Sequence, residues 1–205
     1  MTNKDRIIRP VLHHYGLTTT RFDEMKNWYA KVIGMVPTFE SSDPTGNRAG
    51  MNATWVTNDK ANHRIGIIAI PGLTDDSEKH LHTKIHHVAY EYSSLDDLLD
   101  TYVRLSEIGI EPVISHDHGA SIAFYYRDPD QNIVELNTDT FGDWEKSTEF
   151  MQKSPQFAAH PNGATIDPKL LVEARELGIS SAEIHKRAYA GEYEPSTPAD
   201  PRALT

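Results

Sequence analysis

Two histidine pairs contain the residues of this sequence that are best suited to chemistry. LHHYGL begins at residue 12 and IHHVAY at residue 85, so four of the eleven histidines lie in two near-copies of one strand-like motif. Alternate side chains of a strand face opposite sides, which places His14 with Gly16 and His87 with Ala89. Small neighbours leave room for a metal ion. We therefore predict that His14 and His87 bind a metal, although an isolated histidine on an apolar strand is more often a hydrogen-bonded core residue.

A carboxylate for the same site is available in NIVELN, where Glu135 lies between Val134 and Leu136. A charged side chain among apolar neighbours needs a partner, because burying it unpaired is costly. Two imidazoles and one carboxylate leave three coordination positions open, which suits non-haem Fe(II), and Mn(II) is the alternative with the same ligands. The structural alternative is that Glu135 is a salt-bridged strand residue.

The elements that must position these residues occur twice along the chain. A strand with the first histidine pair precedes the helix TRFDEMKNWYAKVIG, which Gly34 ends. The strand MVPTFES, the polar loop SDPTGNRAG and the strands MNATWVT and HRIGIIAI follow. The order restarts with the second pair, the helix SSLDDLLDTYVRLSEIG between Ser94 and Gly109, and the strands IEPVISH, ASIAFYYRD and NIVELNT. We predict an α+β fold in which two tandem βαβββ modules, about 8–72 and 83–140, form a curved mixed sheet around a metal cleft.

The paired modules are predicted to form one domain over residues 1–140. Residues 141–205 read as a helical extension with a loosely ordered end, because DWEKSTEFMQ, DPKLLVEARELG and SAEIHKRAYAG have helical spacing and EPSTPADPRALT does not. These added helices favour a homo-oligomer, such as a dimer.

Composition excludes several classes of function. The chain has 20 Lys+Arg against 30 Asp+Glu and a net charge of −10, so nucleic acid is not an expected partner. The absence of cysteine excludes thiolate metal sites and disulfides. Neither a signal peptide nor an apolar run long enough to span a membrane is evident, so we expect a soluble, cytoplasmic protein without a membrane partner.

These motifs together resemble a known superfamily. With HHxxL near the start, IHHVAY midway and YYRDPDQNIVEL at the close, the chain resembles the vicinal oxygen chelate superfamily, and more closely the single-domain type I extradiol (catechol ring-cleaving) dioxygenases. The resemblance covers about residues 8–140. It implies that His14, His87 and Glu135 bind iron in an enzyme of aromatic catabolism. Gln131 stands where many relatives have glycine.

The resemblance also implies two residues that bind the substrate. Extradiol enzymes have a tyrosine ten positions before the glutamate ligand and a histidine nineteen positions before it, which are Tyr125 and His116 here. These side chains would hydrogen-bond the substrate oxygens. His118 is a neighbouring candidate in the HDHG loop, and the spacing favours His116. A simple core position is the alternative for Tyr125, because aromatic residues flank it.

A third implied residue is an acid–base histidine at the start of the strand before the second histidine pair. NHRIGIIAI places His63 there. The distance to the second pair is longer than in relatives, so PGLTDDSEKHLHT reads as an inserted loop. His80 and His82 in that loop are the competitors of His63 for this role.

The function implied by the resemblance is Fe(II)-dependent cleavage of a catechol or a 2,3-dihydroxybiphenyl-like diol by O2, next to the two hydroxyls. One alternative is a glyoxalase or epimerase that uses Zn, Ni or Co. Those enzymes commonly add a glutamate ligand in the first module, and HRIGIIAI contains none. The other alternative is a binding protein of the bleomycin-resistance type, which needs no metal triad.

Overall fold

A computed structural model describes residues 7–43, 50–200 and 202–204. The chain divides into two compact units, Met1–Asp75 and Asp76–Thr205. The loop expected at SDPTGNRAG falls mostly on residues 44–49, outside the described residues, as does the N-terminal segment 1–6. Within the described ranges, no helix has the length and apolar character needed to cross a membrane.

The first unit contains a mixed four-stranded sheet and one helix. The strand order is β1-β4-β3-β2, with β1 parallel to β4 and the other pairs antiparallel. The elements are β1 (Tyr15–Thr18), α1 (Phe22–Ile33), β2 (Val36–Asp43), β3 (Met51–Thr57) and β4 (Ile65–Ala69).

Helix α1 forms because its apolar residues recur at helical spacing and share one face. Met25, Tyr29 and Val32 on that face are buried. The helix ends at Gly34, as predicted, where a φ of 70° suits glycine and the N–H donates to the Ala30 carbonyl at 3.1 Å.

The second unit contains a mixed five-stranded sheet and five helices among its described residues. The strand order is β5-β8-β7-β6-β9, with β5 parallel to β8 and the other pairs antiparallel. The elements are β5 (Val88–Tyr92), α2 (Leu95–Ser106), β6 (Ile114–Asp117), β7 (Ser121–Arg127), β8 (Ile133–Asp139), α3 (Trp144–Lys153), α4 (Pro155–Ala159), β9 (Ala164–Thr165), α5 (Pro168–Glu176) and α6 (Ser181–Tyr189). The predicted α+β class is therefore confirmed, as two mixed sheets with helices.

Helix α2 begins as predicted. The Ser94 hydroxyl accepts a hydrogen bond from the Asp97 N–H at 3.1 Å, which satisfies one of the free donors of the first turn. The helix ends at Ser106, three residues before the predicted stop. Gly109, with a φ of 75°, instead closes the turn that follows.

Both histidine pairs precede their strands, whereas the sequence predicted that they lie within them. Strand β1 begins at Tyr15 and β5 begins at Val88. Tyr15 pairs with the first residue of β4, Ile65, and Val88 pairs with the second residue of β8, Val134. Each parallel ladder therefore begins at or next to the first residue of the partner strand, and the histidines precede its first pair.

The pairing of β7 with β8 divides the second sheet into two faces. Tyr125 lies opposite Glu135 and Ala123 lies opposite Asn137, so these side chains share one face. We call this the site face. Phe124 and the other intervening residues point to the opposite face, where they are buried and where α2 packs. The alternation thus keeps the apolar core separate from the polar residues of the site face.

A tight turn sets the start of β8 and therefore the position of Glu135. The buried Asp128 carboxylate accepts hydrogen bonds from the N–H groups of Asp130 at 3.0 Å and Asn132 at 2.8 Å. Gln131 has a φ of 64°, the left-handed conformation that glycine adopts most readily.

The predicted C-terminal helices are present as α3, α5 and α6, whereas α4 and β9 were not predicted. Strand β9 pairs with β6, with Thr165 opposite His116. The link before β9 packs closely on β6, because a Cβ on Gly163 would lie 1.8 Å from the Asp117 carbonyl oxygen. The predicted domain boundary at residue 140 stays a prediction.

Candidate metal centre

In the first unit, three histidines gather where β1 and β4 begin. One ligand atom from each of His13, His14 and His63 lies within 4.8 Å of the others. The ring centroids of His14 and His63 are 4.2 Å apart. The structure thus brings together two predicted site residues, one proposed as a ligand and one as an acid–base group.

Arg64 fixes the backbone that carries the first histidine pair. Its guanidinium donates to the His13 carbonyl at 3.0 Å and to one Asp59 carboxylate oxygen at 3.0 and 2.7 Å. The Arg64 carbonyl in turn accepts from the Tyr15 N–H at 3.2 Å. The side chain and the backbone of Arg64 together hold the start of β1 beside the start of β4.

The protonation of His63 follows from its neighbour. Nδ1 of His63 is 2.8 Å from the Asn62 side-chain oxygen. An amide oxygen only accepts, so Nδ1 carries the hydrogen and Nε2 has a free lone pair. Burial lowers the pKa of His63, and the nearby His14 and His13 lower it further.

In the second unit, His87 contacts Glu135. Nε2 of His87 lies 3.0 Å from Oε2 of Glu135, and the Asn137 amide donates to Oε1 at 2.8 Å. Glu135 is 6% exposed. A buried carboxylate beside an imidazole offers one oxygen and one nitrogen donor to a divalent ion. The two ligands predicted for this half of the chain are therefore neighbours.

Tyr125 lies directly across from Glu135 on the site face. Burial raises the pKa of the Tyr125 hydroxyl above its usual range, and the charge and hydrogen bonding of Glu135 raise it further. Tyr125 therefore keeps its proton at neutral pH. Its ring centroid is 5.7 Å from that of His87.

His116 projects from β6 onto the site face. Its ring centroid is 6.3 Å from that of Tyr125. Burial lowers the pKa of His116 to about 4, and the neighbouring His118 contributes, so the ring is neutral at pH 7. The Nδ1 atom is buried and has no hydrogen-bond partner within the described part of the chain. A buried polar atom without a partner is available to form a hydrogen bond with a bound ligand.

His118 makes the direct contact with Tyr125, although the sequence spacing favoured His116. Nε2 of His118 is 3.0 Å from the Tyr125 hydroxyl oxygen, and Nδ1 is 2.9 Å from the Asn162 carbonyl oxygen. The sequence contained one signal for this residue: it stands two positions from His116 and therefore continues the same face.

The competitors of His63 have other surroundings. Nδ1 of His82 is 2.8 Å from a carboxylate oxygen of Asp76, and His80 is exposed in a single 3-10 turn, Lys79–Leu81. The surroundings of both histidines are those of surface residues.

A contact between a buried aspartate and a histidine next to the site face was missed in the sequence. Asp117 is fully buried, and one of its oxygens accepts from Nδ1 of His185 on α6 at 2.8 Å. The other oxygen accepts from the Gly119 N–H at 2.8 Å. The pair connects β6 to the C-terminal helices across 68 residues of sequence.

Comparisons with known proteins complete the description of the site. A family model for the Glyoxalase/Bleomycin resistance protein/Dioxygenase superfamily matches residues 11–136. Biphenyl-2,3-diol 1,2-dioxygenase 2 of Rhodococcus globerulus is 33% identical over 196 residues, which cover 96% of this chain and 97% of the relative. Biphenyl-2,3-diol 1,2-dioxygenase 3 of the same organism is 31% identical over 183 residues, which cover 89% of this chain and 91% of the relative.

A solved structure supports the fold. The glyoxylase/bleomycin resistance protein/dioxygenase domain from Frankia sp. EAN1pec matches with a TM-score of 0.50 at 17% identity. The match covers 65% of this chain and 93% of that chain.

Proposed function

Because the chain belongs to the glyoxalase/bleomycin resistance protein/dioxygenase superfamily, we propose that it is an Fe(II)-dependent extradiol dioxygenase. The substrate would be a catechol-type diol, and the two relatives named biphenyl-2,3-diol 1,2-dioxygenase make 2,3-dihydroxybiphenyl the first compound to test. The observation that carries the proposal is the contact of His87 with Glu135 on a sheet face shared with Tyr125.

The proposed metal ligands are His14, His87 and Glu135. The donor chemistry fits, since two neutral imidazoles and one carboxylate are the set that non-haem Fe(II) or Mn(II) accepts with positions left open. The environment of Glu135 fits as well, because this buried carboxylate contacts His87 and Asn137, and a cation would stabilise its charge. When bound, Fe(II) would acidify the hydroxyls of a chelated diol and donate electron density to O2.

The chain's own residues would hold the substrate and move protons. His63 would accept a proton at Nε2 and return it later, because its Nδ1–H is committed to Asn62. His116 would bind a substrate oxygen through the ring whose buried Nδ1 lacks a partner in the described chain. Tyr125, protonated and fixed on β7, would contact the other side of the diol and hold the ring in one orientation.

Oxygen uptake tests this proposal. The protein is loaded with Fe(II) without oxygen and is then mixed in air with 2,3-dihydroxybiphenyl, catechol and other substituted catechols. We expect a yellow ring-opened product and stoichiometric O2 consumption. Activity on another substrate class with Zn or Ni and without O2 uptake would support the glyoxalase-type alternative. Binding without turnover would support a sequestering protein.

Ligand variants make the first specific prediction. We expect His14→Ala, His87→Ala and Glu135→Gln each to weaken Fe(II) binding by about 100-fold or more, because each removes a donor that the other two do not replace. Titration with Fe(II) in the absence of oxygen measures this. His160→Ala, which removes an exposed histidine of the C-terminal extension, is the control and should bind as the parent does. Equal binding by all four variants would remove these residues from the metal site.

A further inference from the structure

His118 is held between two oxygen atoms that come from distant parts of the second unit. One is the Tyr125 hydroxyl oxygen on β7, 3.0 Å from Nε2, and the other is the Asn162 backbone carbonyl oxygen, 2.9 Å from Nδ1. Both contacts have ordinary hydrogen-bond lengths. The ring therefore bridges the site face and the C-terminal extension.

The chemistry of these partners fixes where the imidazole proton lies. A neutral imidazole has one N–H donor and one acceptor nitrogen. The Asn162 carbonyl can only accept, so Nδ1 carries the hydrogen. Nε2 is then the acceptor, and the Tyr125 O–H must donate to it. The Asn162 carbonyl therefore determines the direction of both hydrogen bonds of the His118 ring.

The backbone around His118 has little freedom to change this arrangement. Gly163, the residue after Asn162, packs so closely on β6 that an added Cβ would be 2.7 Å from the His118 Cα. On the other side, a Cβ on Gly119 would lie 2.7 Å from the Tyr189 ring of α6. Asp117, just before His118, is held by His185 of the same helix. The extension therefore packs against both neighbours of His118.

Tyr125 has a second nearby acceptor in Glu135, which shares in raising the pKa of the tyrosine. A hydroxyl has a single proton to donate. Under the proposed function Glu135 is committed to the metal, and His118 Nε2 is then the acceptor that remains for Tyr125.

From these contacts, and resting on the proposed function, we propose that His118 is a positioning residue and that the C-terminal extension holds it in place. Because Nε2 of His118 accepts the hydrogen bond that the Tyr125 hydroxyl donates, the Tyr125 oxygen has only lone pairs to offer the substrate. Tyr125 would accordingly accept a hydrogen bond from a protonated substrate hydroxyl. This explains why the chain adds residues after the second module, since Asn162 supplies the carbonyl that sets the His118 tautomer.

Two replacements of His118 separate its two bonds. His118→Gln can place an amide oxygen near the former Nε2 and keep an acceptor for Tyr125. His118→Asn can keep a donor near the former Nδ1 but does not reach Tyr125. We expect His118→Asn to lower kcat/KM for the diol by about 10- to 100-fold, and His118→Gln to recover most of the loss. Tyr125→Phe should match His118→Asn, and the double variant should be no worse than either. His160→Asn is the control.

The tautomer of His118 can also be measured directly in the parent protein, without an activity assay and without relying on a variant that folds poorly. Nitrogen-15 NMR of the parent protein loaded with diamagnetic Zn(II), so that Glu135 is occupied by a metal, should show His118 with hydrogen on Nδ1, and Tyr125→Phe should shift the Nε2 resonance. An Nε2–H tautomer, an Nε2 resonance indifferent to Tyr125→Phe, or equal kcat/KM for His118→Asn and parent would each overturn the inference. A parent protein that cleaves no diol would overturn the proposed function instead, and the NMR result would still decide whether the His118–Tyr125 bond exists.

Discussion

His116 and His118 lie two positions apart in the chain, and their imidazoles have different surroundings. His118 has an oxygen partner at each nitrogen, whereas Nδ1 of His116 is buried without a partner in the described residues. Spacing from Glu135 indicated His116 and did not indicate His118. The tautomer of His118 is set by a backbone carbonyl 44 residues away. A pattern of side-chain types does not show which backbone atom will lie near a given residue.

The half-buried ring of His116 predicts a dependence of stability on pH. Its pKa is about 4 in the folded chain because burial disfavours the charged ring, against 6.5 in an unfolded chain. Between these values the unfolded chain binds a proton that the folded chain does not, so stability falls as pH falls from 6.5 toward 4. Above pH 6.5 the contribution is constant.

His116→Gln should remove this contribution. We expect the free energy of unfolding of the metal-free parent protein to fall by about 1 to 2 kcal/mol more than that of the variant between pH 7 and pH 4.5. Urea unfolding at several pH values measures the difference. The titration of carboxylates affects both proteins equally, so it cancels when the two free energies are compared. Parallel pH curves for the two proteins would contradict the assignment.

At the scale of elements, most helices followed local signals and were predicted, although α4 was not, whereas the starts of strands depended on distant partners. Ser94 and Gly34 act within one turn of their helices, so the sequence around them was sufficient. The start of β5 depends on where β8 begins, which is a long-range property. Strand β9 has two residues and exists because β6 offers an edge. No hydrophobic period can be read from so short a segment.

The packing of the extension on β6 leads to a prediction for two glycines. Gly163 has a φ of 68° and no room for a Cβ against Asp117, whereas Gly178 has a φ of 79° and nothing within 4 Å. We expect Gly178→Ala to cost about 1 kcal/mol from backbone strain alone. Gly163→Ala should cost about 3 kcal/mol or more, since the backbone must also move.

Chemical denaturation of the metal-free chains measures both glycine effects. The matched left-handed conformations make Gly178→Ala the control, so the excess loss in Gly163→Ala reports the close contact with β6. A cost for Gly163→Ala no larger than that of Gly178→Ala would show that this link does not pack against the strand.

At the scale of the whole molecule, the sequence repeat predicted the main division of the fold. Helices α1 and α2 have twelve residues each and begin 73 positions apart, the same separation as the histidine pairs. The α+β class followed from this repeat. The role of the extension did not follow, because its contacts to β6 and His118 come from β9 and from Asn162, Gly163 and His185, which belong to no repeated pattern.

The two compact units predict a site of early proteolysis. Residues 71–78 are exposed throughout and span the boundary at Asp75. Residues 158–162 are also exposed, but the Asn162 carbonyl is bound by His118. Asp75 and Asp76 in the first segment bond to Arg21 and His82, but these are exposed side-chain pairs, which hold a segment weakly. We expect a non-specific protease to cut within 71–78 before it cuts within 158–162, with mass spectrometry to locate the ends. A first cut at 158–162 would contradict the hold of β6 on the extension.

The strand pairing has a consequence for the origin of the chain. Among the described residues, β1 finds its parallel neighbour in β4 and β5 finds its own in β8, so each sheet draws its backbone partners from one unit. A half-length ancestor would already have possessed every partner that its ladder required. Duplication of one gene, without any exchange of strands between the copies, is then enough to produce the tandem order seen today.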